Sequence, residues 1–163
     1  MNKPGIDIKV PGFGDREIRI VVSDYTGTLS CAGKLAPGVR EKLTKIMKLV
    51  NIRVISSDSF GTAESELAGI VKPEILKTGQ HDVEKQNYVK QFDLKHVAAF
   101  GNGNNDRLLL KTVKEGGGLA IAVDNGEGCA IDALLNANLF IVSVVNGLNL
   151  LLEPRSCKAT LRF

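Results

Sequence analysis

The sequence predicts an α/β protein whose mostly parallel sheet carries helices on both faces, in the three-layer Rossmann-like arrangement. Short apolar runs alternate along the chain with stretches in which apolar residues recur at helical spacing. The runs are nearly continuous in Val, Ile, Leu and Ala, which is typical of strands that are buried on both faces. Polar clusters directly follow several runs, as loops do at the carboxyl edge of a parallel sheet.

The N-terminal region predicts a β-hairpin at an edge that leads into a buried strand. Residues 6–10 alternate between apolar and polar, residues 11–15 contain turn formers, and residues 17–22 form an apolar run. The run ends at Asp24, and Gly27 permits the sharp exit that follows it. Residues 30–36 are then expected to form a loop.

The rest of the chain continues the alternation. A helix is expected to begin near Pro37, because its apolar residues fall on one stripe: Val39, Leu43, Ile46 and Val50. Strands are predicted at 52–55, 75–77, 96–100, 119–123 and 139–144. Further helices are predicted at 60–69, from 82, after 106, at 129–137 and at 147–152. The tail, residues 155–163, packs either on the body or on a neighbouring subunit; the pattern leaves both open.

Size and composition favour a single globular domain over residues 1–163. The chain has 163 residues, of which 44% are hydrophobic and 24% charged, the ordinary balance of a soluble domain with a core. Its net charge of +3 comes without any run of Lys and Arg, so nucleic-acid binding is not expected.

The cysteines and the apolar stretches indicate a cytoplasmic protein. Cys31, Cys129 and Cys157 are widely spaced, without the pattern of a disulfide framework or a zinc site. The N-terminus lacks the apolar core of a signal peptide. The longest apolar stretch, residues 139–152, is short and contains Asn and Gly, so membrane insertion is not expected.

Three polar clusters are predicted to meet at one edge of the sheet: residues 24–28, 56–58 and 101–106. A helical lysine before the third cluster, Lys85 or Lys90, can extend over them. Each part also has an ordinary structural interpretation, since serine caps helices, surface lysines are solvated, and Asn and Gly are common in loops. Their conjunction favours a site.

Together, the three polar clusters and the helical lysine supply the groups that phosphoryl transfer to a carboxylate needs. Asp24 can attack phosphorus, while a cation offsets the repulsion between carboxylate and phosphate. Hydroxyl, amide and ammonium groups hold the equatorial oxygens, and the Thr26 and Thr28 hydroxyls are expected to meet such an oxyanion. Mg²⁺ commonly takes one or two carboxylates plus phosphate and water.

With these residues in place, the chain resembles the haloacid dehalogenase-like (HAD-like) superfamily of phosphatases and phosphotransferases. The motifs of that superfamily match, in order, residues 24–28, 55–58, 83–89 and 101–106. The resemblance implies that Asp24 is the nucleophile and that Thr26, Ser56 and Lys85 belong to the catalytic set. It also implies the following phosphate-binding residues: Gly27, Ser56, Ser57 and Lys85. The implied cofactor is Mg²⁺, with these ligands: Asp24, Thr26, Asn102 and Asp106.

The same residues resemble the phosphorylation domain of P-type cation pumps (P-type ATPases). Still more similar is a group of small soluble proteins named for that likeness, which share residues 57–63 and 127–130. The resemblance covers roughly residues 6–162, with no room for an inserted cap domain. Capless members have an open site, which implies a large substrate or a neighbouring subunit as a lid, and hence a homo-oligomer.

Three residues depart from the superfamily pattern. Thr26 replaces the usual second Asp and cannot ionise to activate water, so hydrolysis of an aspartyl-phosphate is expected to be slow. Asn102 replaces the usual metal-binding Asp, so Mg²⁺ binding is expected to be weak. Tyr25 replaces the lysine of the pumps, and without a transmembrane segment the chain is not itself a pump.

The first functional hypothesis is therefore an Mg²⁺-dependent phosphohydrolase or phosphotransferase that acts through Asp24 on a phosphorylated small molecule or macromolecule. The alternative is a low-turnover phosphate-binding or regulatory module that acts with a protein partner. A two-component receiver domain is disfavoured because no acidic cluster precedes Asp24. Dehalogenase chemistry is less favoured, because Lys85 suits an anionic group.

Overall fold

The computed structural model describes residues 2–163. Its strands are β1 (Ile6–Ile8), β2 (Arg16–Ile18), β3 (Ile20–Ser23), β4 (Ser30–Cys31), β5 (Lys34–Leu35), β6 (Asn51–Ser56), β7 (Glu74–Ile75), β8 (Val97–Gly101), β9 (Leu119–Asp124) and β10 (Leu139–Val142). Its α-helices are α1 (Val39–Ile46), α2 (Ala63–Glu66), α3 (His81–Val89), α4 (Arg107–Glu115), α5 (Ile131–Leu135), α6 (Val144–Leu152) and α7 (Pro154–Leu161). Short 3₁₀ turns cover Leu94–His96 and Asn104–Asp106.

A six-stranded sheet forms the centre, in the order β10-β9-β8-β3-β6-β7. Every neighbouring pair in it is parallel. The predicted α/β class and parallel sheet are confirmed. Because β3 lies between β8 and β6, the loops that leave these three strands emerge side by side at one edge.

Helices cover both faces of this sheet, which confirms the three layers. Successive residues of β3 point to opposite faces, with Val21 in one apolar cluster and Val22 in the other. Leu43 of α1 joins the first cluster, and Leu110 of α4 joins the second. The stripe predicted for the first helix is buried in full.

The predicted N-terminal hairpin is present, as a separate two-stranded sheet. β1 pairs antiparallel with β2, and Ile6 lies opposite Ile18. The predicted run 17–22 divides at Arg19. The Arg19 N–H donates to His96 O at 2.8 Å, and its carbonyl accepts from Asn51 N at 2.9 Å, so the chain passes directly into the central sheet.

The loop predicted at residues 30–36 is wrong, because a short hairpin, β4–β5, occupies it. Its two turn residues, Ala32 and Gly33, have φ values of 49° and 77°. Hairpin turns with two positive φ angles normally use Asn, Asp or Gly, and Ala32 gave no such indication.

The C-terminal tail packs on the body of the same chain. Residues 154–161 form α7, which begins with Pro154 and buries Cys157 completely. The last strand is shorter than predicted, because α6 begins already at Val144. Among the described residues 2–163, no helix is both long enough and apolar enough to cross a bilayer.

Candidate active site

Asp24 lies directly after β3, at the carboxyl edge of the central sheet. Its N–H donates to Phe100 O of β8 at 3.1 Å, which fixes the backbone between the two strands. The residue is only 3% exposed. The buried carboxylate therefore needs hydrogen-bonding partners within the protein.

Lys85 of α3 joins two carboxylates. Its ammonium group donates to Asp24 Oδ1 and to Asp106 Oδ1, each at 2.7 Å. All three side chains are buried. Lys90, the other lysine considered from the sequence, lies at the exposed end of the same helix.

Both carboxylate oxygens of Asp106 accept hydrogen bonds from other groups of the protein. Its Oδ2 accepts the N–H groups of Asn102 at 3.0 Å and of Gly103 at 2.9 Å, while Oδ1 accepts from Lys85. The side chain also packs on Gly101, where an added Cβ would lie 2.5 Å from the Asp106 Cβ. Asp106 therefore holds Lys85 and the loop after β8 in place.

Asp24 holds its proton more tightly than an exposed aspartate does. Burial, together with the neighbouring Asp106 charge, raises the pKa of Asp24 from 3.8 to about 6, against the opposing effect of Lys85. For Lys85, burial lowers the pKa, but the charges of Asp106 and Asp24 outweigh it and raise the pKa above its ordinary value. Lys85 is therefore a fixed positive charge beside Asp24.

Thr28 links Asp24 to Asn102. The Thr28 hydroxyl lies 3.0 Å from Asp24 Oδ2 and 3.1 Å from Asn102 Oδ1, and it can donate to one of them at a time. Asn102 Nδ2 donates to Gly128 O at 3.2 Å, which leaves the amide oxygen on the side of Asp24. Thr28 is buried between these two residues, and its contact with an oxyanion stays a prediction.

Thr26 and Gly27 lie in the loop that follows Asp24, beneath the side chains of Asn102 and Glu127. The Thr26 hydroxyl oxygen is buried and has no hydrogen-bond partner among the described residues. Gly27 has a φ of 75°, and a Cβ added there would lie 2.6 Å from Asn102 Nδ2, 2.9 Å from Glu127 Oε2 and 3.0 Å from Asn102 Oδ1. Glycine takes this φ without strain, and it lets the Asn102 and Glu127 side chains lie close against the loop.

These groups fit a hard divalent cation. Such ions prefer oxygen ligands, and the site offers the unpartnered Thr26 hydroxyl and the Asn102 amide oxygen beside Asp24. Within residues 2–163, no cluster of three or more His, Cys, Asp and Glu side chains is arranged as a metal site. A cation here would therefore depend on neutral oxygens as well as carboxylates.

The second polar cluster lies on the neighbouring strand. Ser23 of β3 pairs with Val54 of β6, so Ser56 ends its strand at the same edge as Asp24. The buried Ser56 oxygen accepts the Asp58 N–H at 2.8 Å, which leaves its own proton available to donate. Ser57 lies outside the core, with its hydroxyl 3.4 Å from that of Ser59.

Two residues that hold the β4–β5 hairpin were not predicted. The buried Tyr25 hydroxyl donates to Gly33 O at 3.0 Å, and the Ala32 N–H donates to Glu127 Oε1 at 2.6 Å. Tyr25 stands out as the replacement of a pump lysine, and Glu127 falls in a stretch shared with the small soluble proteins. Neither pattern reveals the contact, because it depends on a hairpin that was predicted to be a loop.

The central sheet, its helices and the Asp24 loop together define a HAD-like fold. The chain superimposes on the 3-deoxy-D-manno-octulosonate 8-phosphate phosphatase of Moraxella catarrhalis, a structure in complex with magnesium, phosphate and KDO, with a TM-score of 0.63. They share 15% identity over 88% of this chain and 90% of that one. The cobalt-bound enzyme of Haemophilus influenzae gives a TM-score of 0.66 at 13% identity, covering 88% of this chain and 92% of that one.

A putative HAD superfamily subfamily III A hydrolase of Legionella pneumophila gives a TM-score of 0.63 at 18% identity, covering 88% of this chain and 87% of that one. No protein-family model matches the sequence. The chain is 38% identical over 93 residues to the uncharacterized protein MJ0073 of Methanocaldococcus jannaschii, across 57% of this chain and 86% of that protein. It belongs to the same family as that protein.

Proposed function

We propose that this protein is an Mg²⁺-dependent phosphohydrolase or phosphotransferase that acts through an aspartyl-phosphate at Asp24. The observation that carries the proposal is the buried bridge from Lys85 to Asp24 and Asp106. A buried carboxylate paired to a fixed ammonium, at the ligand-binding edge of a parallel sheet, suits attack on an anionic phosphorus centre. The HAD-like fold supports this assignment.

In the first step, Asp24 attacks phosphorus and the bond from phosphorus to the leaving oxygen breaks. Lys85 offsets the repulsion between Asp24 and the phosphoryl group. The Ser56 hydroxyl donates a hydrogen bond to a phosphoryl oxygen. The leaving oxygen takes a proton from water. Gly27 and Ser57 border the phosphoryl group in this proposal.

In the second step, water attacks phosphorus and loses its proton to solvent, the bond between the Asp24 oxygen and phosphorus breaks, and phosphate and the free Asp24 carboxylate result. Thr26 cannot take the proton from this water at neutral pH, so the second step is the slow one. Asp24, Thr26 and Asn102 would hold Mg²⁺. Asp106, the fourth ligand implied by the resemblance, is proposed to position Lys85 instead, because both of its oxygens accept hydrogen bonds from the protein. When bound, Mg²⁺ supplies positive charge that stabilises the phosphoryl oxygens.

The substrate is proposed to be a phosphorylated small molecule, by analogy with the 3-deoxy-D-manno-octulosonate 8-phosphate phosphatase of M. catarrhalis. A phosphorylated macromolecule is the alternative, because the elements around the site include no cap. Between β3 and α1 lies only the β4–β5 hairpin, and between β6 and α3 lie only α2 and β7. We therefore propose one HAD-like domain over residues 1–163.

The test is phosphate release from a panel of phosphate monoesters, with and without Mg²⁺. We expect slow, Mg²⁺-dependent release, and Asp24→Asn should lower it at least about a thousandfold, since it removes the nucleophile. Asp7→Asn, which changes an exposed aspartate of β1, is the control and should leave release unchanged. Equal release by Asp24→Asn and the wild-type protein would refute the mechanism.

The second candidate is the low-turnover regulatory module, and Thr26 is the observation that favours it. In that case Asp24 would be phosphorylated but hardly hydrolysed. Mass spectrometry after incubation with a small phosphodonor distinguishes the two: stable phospho-Asp24 with negligible phosphate release favours the module.

We further propose that the protein is a cytoplasmic homo-oligomer. Support for the oligomer comes from the exposed apolar side chains of α5 and the edge strand β10: Ile131, Leu134, Leu135, Phe140 and Val142. Light scattering at several concentrations tests the oligomer, and a monomer at every concentration would contradict it.

A further inference from the structure

Glu127 lies over the loop that follows Asp24, close to Gly27. Its Oε2 lies 2.9 Å from the position of a Cβ added to Gly27, and the Asn102 amide lies 2.6 Å (Nδ2) and 3.0 Å (Oδ1) from the same point. Its other oxygen, Oε1, accepts the Ala32 N–H at 2.6 Å. One carboxylate oxygen is therefore anchored to the β4–β5 hairpin, and the other shares a space with the amide proposed to bind Mg²⁺.

The cation site is short of negative charge without Glu127. Asn102 is neutral, and both oxygens of Asp106 are already bound by protein donors. Asp24 carries the remaining charge but is paired with Lys85. Among residues 2–163, Glu127 forms no ion pair with Lys, Arg or His. Its charge is thus available to a cation.

We propose that Glu127 supplies the second carboxylate of the divalent-cation site and so compensates for the neutral Asn102. The inference rests on the proposed function, in that the cation is the Mg²⁺ of that site. Magnesium sites commonly use one or two carboxylates, and Asp24 with Glu127 meets that number. By this proposal the loop after β9 is part of the active site. The Glu127 side chain also joins that loop to the β4–β5 hairpin.

A purely structural role for Glu127, as an anchor of the hairpin, is the competing explanation. The chain offers a matched control for it. Glu66 Oε2 accepts the Leu35 N–H at 2.8 Å and so holds the other strand of the same hairpin. Glu66→Gln and Glu127→Gln each keep an amide oxygen that can accept the hairpin N–H, while each removes one charge.

The experiment measures Mn²⁺ and Mg²⁺ binding to the full chain, by electron paramagnetic resonance and by calorimetry, without any phosphate ester. Glu127→Gln should weaken binding about tenfold or more, and Glu66→Gln should change it by less than about twofold. Adding Asn102→Asp to Glu127→Gln should restore at least the wild-type affinity. Unchanged affinity in Glu127→Gln, equal losses in both glutamine variants, or no binding by the wild-type protein would overturn the inference.

Phosphate release is measured separately, so that the two proposals can fail independently. Release that depends on Asp24 but not on Glu127 would retain the phosphohydrolase and overturn the role of Glu127. Cation binding that depends on Glu127, without release from any ester, would retain the Glu127 site and contradict the phosphohydrolase.

Discussion

The buried Asp24 carboxylate should make the stability of the protein depend on pH in a defined window. Its pKa is about 6 in the folded protein and 3.8 in the reference state. The folded state therefore holds this proton more tightly than the unfolded chain does. As the pH rises through the window between these two values, the free energy of unfolding falls. The difference between these two pKa values corresponds to about 3 kcal/mol of unfolding free energy.

Asp24→Asn removes this titration and keeps the shape of the side chain. The unfolding free energy of the variant, minus that of the wild-type protein, should rise by roughly 3 kcal/mol between about pH 3 and pH 7. Lys85 retains Asp106 as its partner in the variant. The assay is urea unfolding at several pH values, followed by circular dichroism in a chelator so that no cation alters the pKa of Asp24.

Asp7→Asn serves as the control, because Asp7 is exposed on β1, which lies outside the central sheet. Measured over the same range, this variant shows how much of any change comes from replacing a carboxylate by an amide at the surface. A flat difference for Asp24→Asn would refute the reasoning. A difference that falls with rising pH would mean that Lys85 dominates over burial and lowers the pKa of Asp24.

Three further variants test other contacts. Lys85→Met leaves the buried carboxylates of Asp24 and Asp106 without a counter-charge. Urea unfolding at pH 7 should show that the free energy of unfolding falls by about 3–5 kcal/mol. A fall of less than about 1 kcal/mol would contradict the bridge from Lys85 to the two carboxylates. Tyr25→Phe removes the hydrogen bond to Gly33 O and should cost about 1–2 kcal/mol by the same assay, and no loss would show that the hairpin is held by other contacts. Gly27→Ala places a methyl group against Asn102 and Glu127 at positive φ and should weaken Mn²⁺ binding about tenfold, whereas unchanged binding would argue against a cation at this site.

The architecture was predictable from the sequence because its strands and helices differ in apolar period. Val21 and Val22 face opposite layers of the sheet, so the run before Asp24 is apolar throughout. The Val39, Leu43, Ile46 and Val50 stripe identified α1 for the complementary reason, that only one of its faces is buried. The strands β4 and β5 have two residues each, which is too short for either period to appear.

The candidate site was predictable where its residues follow strands directly. Asp24, Ser56 and the 101–106 loop come to one edge because β3, β6 and β8 are parallel neighbours. Lys85 was selected by the family resemblance, and its burial between two carboxylates required the structure. The position of Glu127 depends on a loop beyond β9 reaching a hairpin about a hundred residues earlier, at Ala32, and no local pattern encodes that contact.

The central claim is that Asp24 accepts a phosphoryl group, and its most direct test is the mass of the protein after reaction with acetyl phosphate and Mg²⁺. We predict that the wild-type chain gains one phosphoryl group, located on Asp24 by peptide mapping, and that Asp24→Asn gains none. An unmodified wild-type chain, or a phosphoryl group that the Asp24→Asn variant still acquires, would contradict the account.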